Sequence, residues 1–147
     1  MTRRLSTLLL PALLLLALLA PPPLAAGDSF VVVINAANPV PALPAAEVSK
    51  LFLHRTLQWP NGTRVAAVDL AEDAPARDAF SQAVHGKSTA AVKAYWQKMI
   101  FSGRDIPPPE KTAAEALAFV RAEAGAVGYV AAGTPLGEGV KALRVTR

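Results

Sequence analysis

Side chains able to do covalent or acid–base chemistry are few in this chain of 147 residues, and they are scattered. There is no cysteine, which excludes thiol catalysis, disulfides and thiolate metal ligation together. His54 and His85 lie far apart in sequence, and neither has a second ligand at metal-binding spacing. Each reads as a surface or helix-end histidine. After residue 27 the serines are Ser29, Ser49, Ser81, Ser88 and Ser102, and none sits in a nucleophile elbow. Glu72 and Asp73 are adjacent, so they share one solvated loop and lack the separated environments an acid/base pair requires. Asn61-Gly62-Thr63 has the glycosylation acceptor pattern, but its turn chemistry is sufficient explanation. With no catalytic constellation, metal motif or cofactor motif, the chain is expected not to be an enzyme and to carry no cofactor.

The elements that could position a binding site begin after an export signal. Arg3 and Arg4 form a basic head, and Leu8 to Ala20 contain no charged side chain. That apolar stretch falls short of the roughly 20 residues needed to span a bilayer. Pro21-Pro22-Pro23 breaks it, and the small residues Ala25, Ala26 and Gly27 follow. Residues 1–26 are therefore expected to be a signal peptide cleaved near Ala26. Residues 27–147 would then form one domain, periplasmic or secreted, with no membrane span after cleavage. Loss of Arg3 and Arg4 lowers the formal net charge from +4 to +2. The remaining Lys and Arg do not cluster, which argues against a nucleic-acid partner.

Phe30 to Ile34 is a continuous apolar run, as in a strand buried on both faces. Val48, Leu51 and Phe52 fall at helical spacing, and Trp59-Pro60-Asn61-Gly62 is a turn. Arg64 to Leu70 reads as a strand. Asp73 is placed to cap a helix with Pro75 in its first turn and Gly86 at its end. Ser88 starts a further helix, with Val92, Tyr95, Trp96, Met99 and Ile100 as its apolar face and Gly103 beyond its end. Tyr95 and Trp96 read as core more readily than as pocket lining. Thr112-Ala113-Ala114-Glu115 has the capping-box form. Val127 to Val130 and Val140 to Val145 read as strands. Strands alternating with helices predict an α/β fold with a mainly parallel sheet and flanking helices.

Read in order, Phe30 to Asn35, Val48 to Phe52, Trp59 to Gly62, Arg77 to Phe80, Tyr95-Trp96 with Phe101-Ser102-Gly103, and Gly125 to Val130 together resemble phosphate-type periplasmic solute-binding proteins of ABC transporters. The resemblance is to a short, single-lobe form and covers nearly all of residues 27–147. It implies a lobe of the type 2 periplasmic-binding-protein-like fold, and capture of phosphate or another oxyanion for ABC uptake, with a membrane transporter as partner. The implied ligand-binding positions are Ala76 and Arg77 at a helix start, with Asn35 and Asn38 at the edge of the crevice. In the family a Ser-Gly-Thr loop precedes that helix; Ala74, Pro75 and Ala76 stand there here, and Leu70 stands where an arginine often does. Two hydroxyl donors and one N–H are thereby lost. A ligand-free adaptor of the same fold, working with another envelope protein, is the alternative. Intact-mass measurement of the exported chain is expected to place its N-terminus at or next to Gly27; retention of residues 1–26 would contradict the leader reading.

Overall fold

The computed structural model describes residues 29–147. The expected leader lies outside the described residues. In chain order the elements are β1 (Phe30–Asn35), β2 (Ala42–Pro44), α1 (Ala45–Phe52), β3 (Ala66–Ala67), β4 (Asp69–Leu70) and α2 (Pro75–Phe80). A single π turn, Ser81–His85, follows, then α3 (Thr89–Phe101), β5 (Glu110–Lys111), α4 (Ala113–Ala122), β6 (Ala126–Ala131) and β7 (Val140–Thr146).

β1 is the middle strand of a five-stranded sheet ordered β2-β7-β1-β6-β3. Its β-branched run suits that place, and Val32, Val33 and Ile34 are buried. Each such side chain contributes about 1.5–3 kcal/mol by leaving water. The α/β class stands, but the sheet is mixed and not mainly parallel. β1 runs antiparallel to both β6 and β7, and these are the long ladders. Parallel pairing is confined to the short β2–β7, β3–β6 and β4–β5 contacts. The reason is topological: β6 and β7 flank β1 on either side and point the same way, joined by residues 132–139, which cross over without a helix. Ala36 N donates to Gly139 O at 3.0 Å, and Arg121 Nε to Glu138 O at 2.7 Å, which fixes that crossover against β1 and α4.

The expected strand Arg64 to Leu70 splits. Its first part pairs with β6, Val68 N donating to Val127 O at 2.9 Å, and its second part turns away to β5 through Asp69 N and Pro109 O. β2 and β5, of three and two residues, left no readable pattern in the sequence. Asp73 does not cap α2; the cap position is Ala74, with Pro75 at the first helical position. Ser88 and the Thr112–Glu115 capping box are formed as expected. On α3 only Val92 and Trp96 are buried, in a small cluster with Leu53, and Ile100 is exposed.

An aromatic stack fills the centre. Phe80 lies parallel to Tyr129 at 3.9 Å and tilts against Phe52 at 4.7 Å. His85 closes the stack edge-on to Phe80, and Ser49 Oγ lies 2.7 Å from its Nδ1. Burial, with Arg55 and Lys87 nearby, lowers the His85 pKa to about 4. The unfolded chain therefore takes up a proton near pH 6.5 that the folded chain refuses until about pH 4, so stability falls as pH drops through that window. Urea titrations are expected to show about 3 kcal/mol lost across it, a loss that His85→Gln removes.

Gly125 marks a close approach of backbone to backbone. A Cβ there would lie 1.8 Å from the Arg64 carbonyl oxygen, while the Gly125 carbonyl accepts the Trp59 indole N–H at 2.8 Å. Gly125→Ala is expected to lose at least about 1–3 kcal/mol in denaturation experiments, through forced backbone displacement.

Candidate functional site

Arg77 sits on the first turn of a helix whose start faces β4 and β5, and its side chain folds inward. Nη1 donates to the Leu70 carbonyl at 2.8 Å and to Glu110 Oε1 at 2.6 Å, and Nη2 lies 3.5 Å from Asp69 Oδ2. Asp69 also accepts a short hydrogen bond from the Tyr129 hydroxyl and one from the Leu70 N–H at 2.9 Å. Burial raises the Asp69 pKa, against the lowering effects of Tyr129, Arg77 and Leu70. Burial opposes the charge on Arg77, but Asp69 and Glu110 outweigh it and raise its pKa. Burial beside Asp69 also pushes the Tyr129 hydroxyl up, so it stays protonated as the donor. The guanidinium is thus committed to the protein itself.

Beside this network a crevice of about 250 Å³ opens between the starts of α2 and α4. Ala74, Pro75 and Ala76 form one side, and Lys111, Thr112 and Ala113 the other. Helix starts leave N–H groups without intrahelical partners, which here include those of Ala76 and Ala113. Thr112 Oγ1 accepts from Glu115 N at 3.3 Å and keeps its own proton for donation. The Lys111 ammonium lies 5.7 Å from the Phe119 ring centroid and is the cation of the lining. Glu115 accepts from Thr112 N at 3.0 Å, and those hydrogen bonds lower its pKa. Glu72, two residues before Ala74, is turned to Lys93 at 3.1 Å, which partly neutralises it.

The four sequence-derived positions are not brought together. Ala76 lines the crevice, with Arg77 behind it, at the end of the sheet where Phe30 pairs with Ala131. Asn35 and Asn38 lie at the other end, where Asn35 pairs with Val140. Asn35 Nδ2 donates to the Val120 and Arg121 carbonyls at 3.0 Å each, which closes the C-terminal end of α4. Asn38 is buried; its Oδ1 accepts from Val40 N at 3.0 Å, and its Nδ2 has no hydrogen-bond partner among the described residues. Sequence reasoning missed Lys111 because the strand carrying it is too short to leave a pattern, and missed Asp69 and Glu110 as partners of Arg77 because the pairing is between distant segments.

No family model and no curated protein matches the chain. Its fold is similar to that of an ABC-type phosphate transport receptor from Vibrio cholerae, with a TM-score of 0.62 and 18% identity, over 80% of this chain and 46% of that one. It is similar to PstS from Borrelia burgdorferi, with a TM-score of 0.60 and 10% identity, over 81% of this chain and 47% of that one. A Clostridium perfringens protein crystallised with phosphate bound matches with a TM-score of 0.61 and 16% identity, over 80% and 45%. The chain thus spans a little under half the length of these structures, and the likeness at these identities is one of fold.

Arg77→Met is expected to cost about 3–5 kcal/mol of stability, because Asp69 is left buried without its cation. Adding Asp69→Asn should recover part of the loss. A stable Arg77→Met protein would instead mean that the guanidinium is available to a ligand.

Proposed function

We propose that this chain is an exported solute-binding lobe that captures phosphate or another small oxyanion in the crevice between α2 and α4, for uptake by an ABC transporter. The observation that carries the reading is the crevice itself, flanked by two helix starts in a fold shared with a structure that holds phosphate. An anion there would meet the Ala76 and Ala113 N–H groups, the Thr112 hydroxyl and the Lys111 ammonium. Hydrogen bonds to a charged group contribute about 1.5–3 kcal/mol each. Binding sites bury about 70–90% of a small ligand, and this crevice offers walls from one lobe, so a second copy or an envelope protein supplies the facing wall. Delivery by the expected leader places the lobe in the periplasm or outside the cell.

The second reading is an adaptor that keeps the fold and contacts an envelope protein without a solute. It is favoured by one observation: Arg77, the cation nearest the helix start, is already neutralised by Asp69 and Glu110.

Calorimetry with phosphate, sulfate and molybdate separates the two. The wild type is expected to give heat with at least one of them. Ala113→Pro should abolish it without unfolding the protein, because proline is tolerated at the first helical position. Thr112 already has the extended backbone, φ −67° and ψ 164°, that a following proline demands. No heat from the wild type at millimolar anion would reject capture by the isolated lobe and leave the adaptor.

A further inference from the structure

A groove of about 350 Å³, separate from the crevice, runs between the end of α1 and α3. Its apolar surface comes from Leu53, Val92 and Tyr95, and Tyr95 is held by its hydroxyl, which donates to the Leu53 carbonyl at 3.1 Å. Ala91 and Ala94 are small, which leaves the groove its depth. Arg55, Lys87 and Lys98 line it as well, and no carboxylate does. Among the described residues none of these three cations forms an ion pair. Arg55 instead lies over the Tyr95 ring, 5.5 Å from its centroid. Of the nearby acids, Asp69 and Glu110 are joined to Arg77, Glu72 to Lys93, and Asp105, 2.9 Å from His54 Nδ1, is engaged beside the groove without lining it.

The α3 face that borders the groove extends beyond it. Ala91, Ala94, Lys98 and Phe101 recur at spacings of three and four and therefore share one face of α3. Phe101 is 88% exposed at the end of that stripe. From Ala91 to Phe101 the face is about 15 Å long at the helical rise, the length of about five residues of extended chain. Three unpaired cations around an apolar recess complement a ligand that is negative and apolar together. The cations sit in a concavity between two elements, where a side chain can enter and a flat lipid surface cannot.

We propose that this groove is a docking site for an acidic segment of a partner protein, one that seats an apolar side chain on Leu53, Val92 and Tyr95 while its carboxylates meet Arg55, Lys87 and Lys98. The proposal rests on the reading, common to both proposed functions, that the chain works with an envelope protein, and it does not depend on anion capture in the crevice.

The test uses a dye-labelled peptide in which aspartate alternates with leucine and phenylalanine, and its asparagine counterpart, followed by fluorescence anisotropy. The acidic peptide is expected to bind at least about 10-fold more tightly than the uncharged one, a difference that high salt erodes. Lys87→Glu combined with Lys98→Glu should abolish binding, and both side chains are exposed, so circular dichroism should be unchanged. Ala94→Trp should block the groove without changing charge, and neither variant should alter the calorimetric response to oxyanions. Equal binding of the two peptides, or undiminished binding by the glutamate variant, would overturn the proposal. So would an absence of peptide binding, including the case where vesicles of phosphatidylglycerol are bound through the same lysines. Cross-linking of the protein in its native envelope then separates the outcomes. Capture of a partner with no peptide binding removes the groove and keeps the adaptor, whereas no partner removes both.

Discussion

The buried guanidinium of Arg77 is the constraint on which the rest of this lobe depends. A cation taken out of water is tolerated only when its donors are occupied, and Arg77 satisfies that by bonding to Leu70, Asp69 and Glu110 at once. Those partners lie on β4 and β5, strands of two residues each that could not hold together alone. Through Asp69 the network reaches the Tyr129 hydroxyl, and through Tyr129 the ring stack with Phe80 on the same helix as Arg77. The helix, the small parallel pair and the central sheet are thereby locked to one another, and the positions of the two helix starts around the crevice follow.

That arrangement redistributes the protein's charge. Asp69 and Glu110 are spent on Arg77, and Glu72 on Lys93 of α3, while Arg55, Lys87 and Lys98 around the α3 groove have no ion-pair partner among the described residues. The crevice is lined by two helix starts and Lys111, with Glu110 bonded to Arg77 and Glu115 to the Thr112 N–H close by. An acidic chain approaching the groove meets cations around an apolar recess. The two faces therefore differ in chemistry, one lined by helix starts and a single lysine, the other by three cations around apolar side chains.

Much of the fold was legible because it rests on local signals. The apolar run from Phe30 to Ile34, the capping box at Thr112 and the left-handed glycines Gly62, Gly86 and Gly103 each announce their structure within a few residues. Strand direction was not legible, because the sense of β6 and β7 relative to β1 is decided by the crossover of residues 132–139, a segment with no periodicity. Nor was the fate of Arg77. A guanidinium looks the same in sequence whether it faces a ligand or a distant carboxylate, and here Glu110 lies 33 positions away. Asn35 illustrates the same difficulty in a polar residue: placed at a strand end like a ligand donor, it spends its amide on the carbonyls closing α4.

The central position of β1 also bears on how such a chain is made. Both of its neighbours, β6 and β7, come from the far end of the sequence. β1 thus has no ladder partner until β6 and β7 are made, and the loop that must close to provide one spans nearly all the residues between β1 and β6. A chain with this connectivity leaves β1 unpaired until those distant strands are present. The central ladder is thereby delayed by strand order alone, a cost of topology that no local sequence signal announces.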